Sequence, residues 1–261
     1  MQEHGYLEMD VPLLVPSAAM EPALHPYAVG QAFLHTSPEF ALKKVLACGL
    51  PRVYSLGPCF RDEEAGPHHA PEFTMLEWYR VGVGYEEIMA EVESLLSTVC
   101  ASVDRVFPTL PHLDWEETYT RYCGPPPADS EERTRLWLQE VEPHLPSPCI
   151  VRDYPADQAA FAAVRGECAE RFELYWEGLE LANAFTELLE ADTLRSRWEA
   201  GNLVRTAEGR QPHPLDADLL EAVARHPRAG GIALGVDRLV MILLEKENIA
   251  DVRIPGANPR G

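Results

Sequence analysis

The spacing of the strand-like segments constrains the fold of this chain more than any other feature. Segments with the period-two pattern of a strand, such as residues 52–56 and 73–80, are separated by stretches of irregular length. A parallel sheet needs crossover helices between its strands, and the chain does not repeat such a unit. The pattern therefore predicts an α+β fold in which helices pack on an antiparallel sheet.

Helix and turn signals place the remaining elements. The segment Ser37-Pro38-Glu39 is typical of a helix start, because serine can cap a helix and proline suits its first turn, and Gly49 is typical of its end. Residues 5–16 are predicted to be extended, and a hairpin is predicted at residues 172–176 and 179–182. Further helices are predicted at residues 85–103, 157–168, 194–207, 215–224 and 236–244, and a glycine-flanked strand at residues 230–235.

The length and the apolar content favour one domain. With 261 residues and 46% apolar side chains, the chain can bury one large core, so we predict a single catalytic domain over residues 1–261. Residues 107–148 are rich in proline and acidic side chains, with Pro125-Pro126-Pro127 in the middle. We interpret this stretch as an excursion on the edge of the domain, because it has too few apolar residues for a core of its own.

Charge and cysteine content count against several classes of protein. The chain has 42 acidic and 22 basic side chains, a net charge of -20, whereas a protein that binds a phosphate backbone presents an electropositive face. RNA is therefore not expected to be the main partner. No run of 18 apolar residues predicts a membrane span, and no secretory signal is visible. The six cysteines form no C-x-x-C pair, which predicts a reduced, cytoplasmic protein without a zinc site.

Two motifs place an arginine where an anion can bind. Arg61 follows a predicted strand and precedes a polar loop, and such an arginine can hold a phosphate or carboxylate through two parallel N–H bonds. Arg238 lies in the first turn of a predicted helix beside Gly235, where backbone N–H groups also favour anions. Taken alone, Arg61 could equally form a surface salt bridge with Glu63 or Glu64, and the pattern Gly-x-Asp-Arg is weak.

Carboxylates form a second group of candidates. Glu77 is predicted to lie between Met75 and Tyr79 on one strand face, where an unpaired carboxylate is costly, so it needs a cationic partner. That partner is either an internal lysine or arginine or the ammonium group of a substrate. Four further oxygen-bearing side chains lie in the hairpin and its exit: Glu173, Glu180, Asn183 and Glu187. Such a cluster suits Mg²⁺ or an ammonium ligand, and the alternative is a solvated acidic edge.

The order and wording of four motifs resemble the catalytic core of class II lysyl-tRNA synthetases. These motifs are Phe-Arg-Asp-Glu at 60–63, Pro-Glu-Phe-Thr-Met-Leu-Glu-Trp-Tyr at 71–79, Glu-Leu-Ala-Asn-Ala-Phe-Thr-Glu-Leu at 180–188 and Gly-Val-Asp-Arg-Leu at 235–239. The resemblance extends over residues 5–252 and is weak only in the proline-rich excursion. Three features are more similar to the elongation factor P–lysine ligases than to the synthetases. They are the segments 35–39 and 77–80, and Ala233 at a position where the synthetases usually have glycine. Those ligases have no anticodon-binding domain, and this chain begins almost directly at the catalytic core.

The resemblance implies a class II synthetase-like antiparallel sheet flanked by helices, and an enzyme that uses ATP and Mg²⁺. It would activate (R)-β-lysine or lysine as an aminoacyl-adenylate and transfer it to a lysine of elongation factor P. For ATP, the implied residues are Arg61 and Arg238 on the phosphates, Phe73 on the adenine, Glu63 and His69 on the nucleotide, and Glu173 and Glu180 on Mg²⁺. For the amino acid, they are Glu39 on the backbone amino group, Glu77, Tyr79, Asn183 and Glu187 on the side-chain ammonium, and Ala233 for the β-amino acid.

The chain also departs from the family pattern. Pro67 and Ala70 replace a basic residue and an asparagine in the ATP loop, and Ala184 replaces a glycine. The family places a helix before Gly5 that helps to build a homodimer, and this chain lacks it, so dimer formation stays open. Two alternatives also stay open: a lysine-adenylating paralogue with another acceptor, and a non-catalytic module that binds ATP or lysine. A true lysyl-tRNA synthetase is not expected, because it needs an RNA-binding domain and a less acidic surface.

Overall fold

The computed structural model describes residues 1–254, and these residues form two compact units. Unit 1 contains Met1–Gly82, Leu188–Ala229 and the residues from 233 onward. Unit 2 contains Val83–Glu187 and Gly230–Ile232. The single domain predicted over the whole chain stays a prediction.

The strands and helices have the following bounds. The strands are β1 (Leu7–Glu8), β2 (Leu14–Val15), β3 (Ala28–Val29), β4 (Ala32–Leu34), β5 (Arg52–Phe60), β6 (Glu72–Val81), β7 (His112–Asp114), β8 (Cys149–Pro155), β9 (Val164–Arg165), β10 (Cys168–Trp176), β11 (Leu179–Thr186) and β12 (Ala229–Gly235). The helices are α1 (Glu39–Ala47), α2 (Tyr85–Ser102), α3 (Trp115–Cys123), α4 (Ser130–Leu136), α5 (Ala191–Ala207), α6 (Ala217–Val223) and α7 (Val236–Leu243).

In unit 1, two long antiparallel strands carry most of the candidate residues. β5 pairs with β6 over nine residue pairs, from Arg52 opposite Arg80 to Phe60 opposite Glu72, and β1 pairs with β5 in parallel. The strands β2, β4 and β3 form a separate small antiparallel sheet. The apolar face of α1 packs against the long strands through Leu42 and Leu46, which are fully buried. This packing fixes the first turn of α1 against β6.

In unit 2, β10 pairs antiparallel with β8, β9 and β11, and β7 pairs with β8 in parallel. The turn between β10 and β11 uses Glu177 and Gly178, both with left-handed φ angles, which fits a tight two-residue hairpin. The prevailing antiparallel pairing, with helices beside the strands, confirms the predicted α+β class.

Most predicted elements are present, but the helix predicted at residues 157–168 is wrong. That segment holds a short 3-10 turn and then the hairpin of β9 and β10. Gly166 has a φ of 66°, which reverses the chain between the two strands, and Ala160 also has a positive φ of 46°. Tertiary packing of the alanines, rather than their helix propensity, decides the conformation: Ala159 and Ala162 are buried in the core of unit 2.

The interpretation of residues 107–148 as an edge excursion is also wrong. This stretch contains β7, α3 and α4, and its aromatic residues form the middle of the core of unit 2. The rings of Trp115 and Trp137 stack at 5.3 Å between centroids, and Trp115 stacks on Tyr119 at 4.9 Å. A few large aromatic side chains bury enough area to compensate for a low count of aliphatic residues.

Membrane spans were not predicted from the sequence. Within residues 1–254, every helix is too short or too polar to cross a bilayer.

Candidate active site

The site in unit 1 is centred on Glu77, whose side chain is buried in β6 with 1% exposure. Ser37 Oγ donates a hydrogen bond to Glu77 Oε2 at 2.5 Å, and the Tyr79 hydroxyl donates one to Oε1 at 2.6 Å. Burial, and next the negative charge of Glu39, raise the pKa of Glu77 to about 8. The buried carboxylate predicted from the alternation of β6 is therefore present, and it has two hydroxyl donors.

Glu39 and Lys43 lie beside Glu77 on the first turns of α1. Lys43 Nζ lies 2.6 Å from Glu39 Oε1, in an i,i+4 pair that is almost completely buried on the lysine side. The backbone N–H of Glu39 donates to Ser37 Oγ at 3.1 Å, so Ser37 connects the two carboxylates. The sequence left open whether an internal cation or a substrate ammonium lies near Glu77. Lys43 is an internal cation of this kind: it pairs with Glu39, and its charge lowers the pKa of Glu77. It was not among the predicted site residues, although its spacing of four from Glu39 could have identified it.

Arg61 lies at the end of β5. Its guanidinium carbon is 5.1 Å from the centre of the Phe73 ring, and its Nε donates to the Thr36 carbonyl at 3.3 Å. Arg61 Nη1 is also 3.6 Å from Glu64 Oε1 in a partly exposed ion pair. The alternative salt bridge is therefore present, with Glu64 as the partner, and the phosphate-binding role of Arg61 stays a prediction.

The predicted nucleotide residue Glu63 lies in the loop after β5 and has a φ of 66°. Arg210 Nη1 lies 3.1 Å from Glu63 Oε2, and His25 Nε2 lies 3.7 Å from the same oxygen. The carbonyl of His25 accepts the backbone N–H of Asp62 at 2.6 Å. Arg210 and His25 were missed from the sequence, because both are distant from the motifs along the chain.

Arg238, in the first turn of α7, lies against His69. Its Nη2 is 2.6 Å from His69 Nε2, and its Nε donates to the His68 carbonyl at 3.4 Å. Burial, and next the charge of Arg238, lower the pKa of His69, so its imidazole is neutral at pH 7 and can accept from the guanidinium. The charge of Arg61 also lowers the pKa of His69, to a smaller degree than that of Arg238.

The thiol of Cys59 connects the carboxylate group with the arginines. Cys59 is buried in β5, where desolvation raises its pKa. The charge of Glu77 raises this pKa further, whereas the charge of Arg61 lowers it. Within unit 1, the Cys59 thiol therefore lies in the electrostatic fields of both Glu77 and Arg61. Ala233, the remaining predicted residue of unit 1, is half-buried in β12.

In unit 2, the predicted residues lie on β10 and β11. Glu173 lies opposite Asn183 in the register of the two strands, and Glu180 lies opposite Tyr175. Glu187 follows β11 and is buried, with 1% exposure. The solvated acidic edge considered from the sequence does not describe Glu173 or Glu187, because both are buried.

The carboxylate of Glu173 is surrounded by hydrogen-bond donors. Its Oε2 accepts from the Tyr154 hydroxyl at 2.6 Å and from the Tyr175 hydroxyl at 2.5 Å, and its Oε1 accepts from Arg171 Nη2 at 2.5 Å. Arg171 also donates through Nε to Asn183 Oδ1 at 3.2 Å. Arg171 thus holds two of the predicted residues, and it was missed from the sequence.

This arrangement is not a preformed Mg²⁺ site. Carboxylate oxygens suit a hard cation, but both oxygens of Glu173 already accept hydrogen bonds. No group of three or more histidine, cysteine, aspartate or glutamate side chains within residues 1–254 is arranged to hold a metal. The assignment of Glu173 and Glu180 to Mg²⁺ stays a prediction.

Comparison with known proteins identifies the family. The family model described as tRNA synthetases class II (D, K and N) matches residues 1–256. The chain is similar to proteins named elongation factor P–(R)-β-lysine ligase, with 36% identity in Yersinia enterocolitica, 36% in Proteus mirabilis and 37% in an Enterobacter species. Each match covers 96% of this chain and 88% of the relative. This chain therefore belongs to the class II synthetase-like, ATP-dependent amino-acid ligases, in the group of the elongation factor P–(R)-β-lysine ligases.

Proposed function

We propose that this protein activates (R)-β-lysine or lysine with ATP as an aminoacyl-adenylate and transfers it to a lysine of elongation factor P. The observation that carries the proposal is the buried group of Glu39, Glu77 and Lys43. Two carboxylates beside one ammonium leave one negative charge when all three are ionised, and such a site favours an amino group as its ligand. The names of the relatives support both the amino acid and the acceptor.

The first step is an in-line displacement at the α-phosphorus of ATP. A carboxylate oxygen of the amino acid attacks the phosphorus, the bond to the bridging oxygen breaks, and pyrophosphate leaves. The nucleophile is already ionised, so the step needs no general base, and it depends on positioning and charge neutralisation. Arg61 and Arg238 would bind the phosphates, Phe73 would stack on the adenine, and Glu63 and His69 would help to place the nucleotide.

The amino acid would be held through its two ammonium groups. Glu39 would bind the backbone amino group, and the family resemblance assigns the side-chain ammonium to Glu77, Tyr79, Asn183 and Glu187. In the second step, the amine of the acceptor lysine attacks the adenylate carbonyl. An amide bond forms, AMP leaves with the electron pair of the broken C–O bond, and the amine releases a proton to solvent. Ala233 would favour the β-amino acid.

The proposal places the protein in a reducing compartment, the cytoplasm. All six cysteines are free thiols, and two of them, Cys48 and Cys168, are exposed. Exposed thiols persist where disulfides are kept reduced.

The adenylation step is tested by ATP–pyrophosphate exchange with (R)-β-lysine, with L-α-lysine and without amino acid. We expect exchange that requires a lysine and that falls about 100-fold or more in Arg238→Ala, because an arginine on the transferring phosphates stabilises the developing charge. Arg225→Ala is the matched control, since Arg225 forms an exposed pair with Glu221 on the helix surface. Its exchange should equal that of the unchanged protein.

Two results separate the alternatives. Exchange without transfer of radiolabelled lysine to purified elongation factor P would favour the paralogue with another acceptor. Folded protein that binds ATP but shows no exchange with either lysine would contradict adenylation and favour the binding module.

A further inference from the structure

Lys43 is a buried charged side chain beside Glu39 of the predicted amino-acid site, yet the proposed function gives it no contact with substrate. It lies on α1 with 1% exposure, and its Nζ is 2.6 Å from Glu39 Oε1. A buried ammonium is costly unless it is paired, and a buried ion pair is weak as a means of stabilising a fold. The position of Lys43 therefore calls for another explanation than stability.

The neighbouring carboxylates supply that explanation. Glu77 is fully buried next to Glu39, and two carboxylates in one desolvated site oppose each other's ionisation. The charge of Lys43 lowers the pKa of Glu77, whereas the charge of Glu39 raises it. Lys43 thus acts on both carboxylates: it contacts Glu39 directly, and it favours the ionised form of Glu77 at longer range.

We propose that Lys43 is a positioning residue that fixes the carboxylate of Glu39 and lets Glu39 and Glu77 be ionised together, so that the pair can bind an amino group. This inference rests on the proposed function, in which the pair receives the ammonium groups of a lysine. Without the charge of Lys43, Glu77 would retain its proton to a higher pH, and the pair would lose affinity for an ammonium ligand.

Other titratable groups of unit 1 surround these three side chains. The Tyr79 hydroxyl donates to Glu77, the Cys59 thiol lies in the field of Glu77, and His226 lies in the field of Lys43. Burial, and to a lesser degree Lys43, lower the pKa of His226, while burial raises that of Cys59. Both groups are therefore neutral near pH 7, so the balance of charge depends on Glu39, Glu77 and Lys43.

The first test measures the stability of Lys43→Met as a function of pH. Methionine has a similar length and no charge, so the variant retains packing while removing the counter-ion. Urea unfolding measures the free energy of unfolding of both proteins between pH 6 and pH 9. The amount by which Lys43→Met is less stable than the unchanged protein should increase as the pH rises. The reason is that the folded variant retains a proton that the folded unchanged protein releases in this range.

The matched control is Lys44→Met, on the same helix. Lys44 Nζ lies 2.7 Å from Asp216 Oδ2, so this variant also breaks a lysine–carboxylate pair but leaves Glu39 and Glu77 untouched. Its stability gap should stay constant from pH 6 to pH 9. A gap for Lys43→Met that is equally constant would show a purely structural role and would overturn the inference, whether or not the protein has lysine-activating activity.

The second test uses ATP–pyrophosphate exchange with the lysine isomer that the unchanged protein prefers. We expect Lys43→Met to raise the KM for lysine about 10-fold or more at pH 7.5, with a smaller change in kcat and in the KM for ATP, because it removes ground-state binding of the amino group. Lys43→Arg, which retains the charge, should recover part of the affinity.

The outcomes distinguish the inference from the proposed function. A pH-dependent stability gap without any exchange in the unchanged protein would support the role of Lys43 and contradict adenylation. Exchange with an unaltered KM for lysine in Lys43→Met would support adenylation and contradict the inference.

Discussion

At the scale of single residues, the environment of Glu77 shows how a strand pattern becomes a binding group. Alternation along β6 directs Glu77 into the interior together with Met75 and Tyr79, which are also buried. Two hydroxyl donors and a neighbouring ion pair then make this carboxylate tolerable in the interior. Both carboxylate oxygens of Glu77 thus have a hydroxyl donor within unit 1.

The raised pKa of Glu77 gives a prediction for Glu77→Gln. In the unchanged protein, the folded state retains a proton on Glu77 that the unfolded chain releases above a pKa of about 4.3. The contribution of Glu77 to stability is therefore lost as the pH rises toward the folded value of about 8. Glutamine does not titrate, so urea unfolding should show a smaller loss of stability between pH 6 and pH 9 in the variant, while lysine-dependent exchange falls about 100-fold.

Glu72→Gln provides the control for this prediction, since Glu72 lies on the same strand and is exposed. It should retain both the pH dependence and the exchange activity of the unchanged protein. If Glu77→Gln retained them as well, the carboxylate would have neither the raised pKa nor the substrate role.

At the scale of elements, β12 and the start of α2 lie so close together at Gly230 that only glycine fits there. A Cβ on Gly230 would lie 2.6 Å from Ile88 Cγ1 and 2.8 Å from the carbonyl oxygen of Gly84, at the start of α2. Within unit 2, the strand and the helix start are thus in backbone contact, and a side chain between them would force the backbone of residue 84 to move.

We therefore expect Gly230→Ala to lower the free energy of unfolding by about 1–3 kcal/mol through overpacking, measured by urea denaturation. Gly57→Ala in β5 is the matched control, because a Cβ there meets no atom within 4 Å. Its effect should stay within about 0.5 kcal/mol. Equal stability of the two variants would show that β12 and α2 can separate without cost.

At the scale of the whole molecule, the charge of -20 sets the expected partners. The family model that matches this chain describes tRNA synthetases, so tRNA is the natural competitor of a protein acceptor. A strongly acidic protein repels a phosphate backbone at distances up to the Debye length, about 10 Å at 0.1 M salt. The chain therefore combines the catalytic fold of a synthetase with a net charge that opposes the approach of a phosphate backbone.

From this charge we expect no binding of tRNA at protein concentrations up to about 10 μM, even at about 50 mM salt, where electrostatic attraction would be strongest. An electrophoretic mobility shift with lysine tRNA measures this directly, and a lysyl-tRNA synthetase with its RNA-binding domain serves as the positive control. A shift that weakens steeply with added salt would reveal a local basic patch and would reopen the synthetase alternative.

The sequence by itself determined the α+β class, the positions of most long strands and helices, and the family, whereas β5, β10 and β11 extend four residues beyond their predicted bounds. These features depend on local periodicity, helix capping and sequence motifs, all of which can be recognised in the amino-acid sequence without a structure. The apolar neighbours Met75 and Tyr79 on the same face of β6 also indicated that Glu77 is buried. The predicted roles of Arg61, Arg238 and the carboxylates come from motif resemblance.

Only the tertiary structure decided which side chains meet. Lys43 is the counter-ion of Glu39, Arg210 and His25 hold Glu63, and Arg171 holds Glu173. The pairs of Glu63 with His25 and Arg210 join positions far apart in the chain, so no local pattern could identify them. The hairpin at residues 157–168 and the aromatic core within residues 107–148 were missed for the same reason: long-range packing outweighed local propensity and composition.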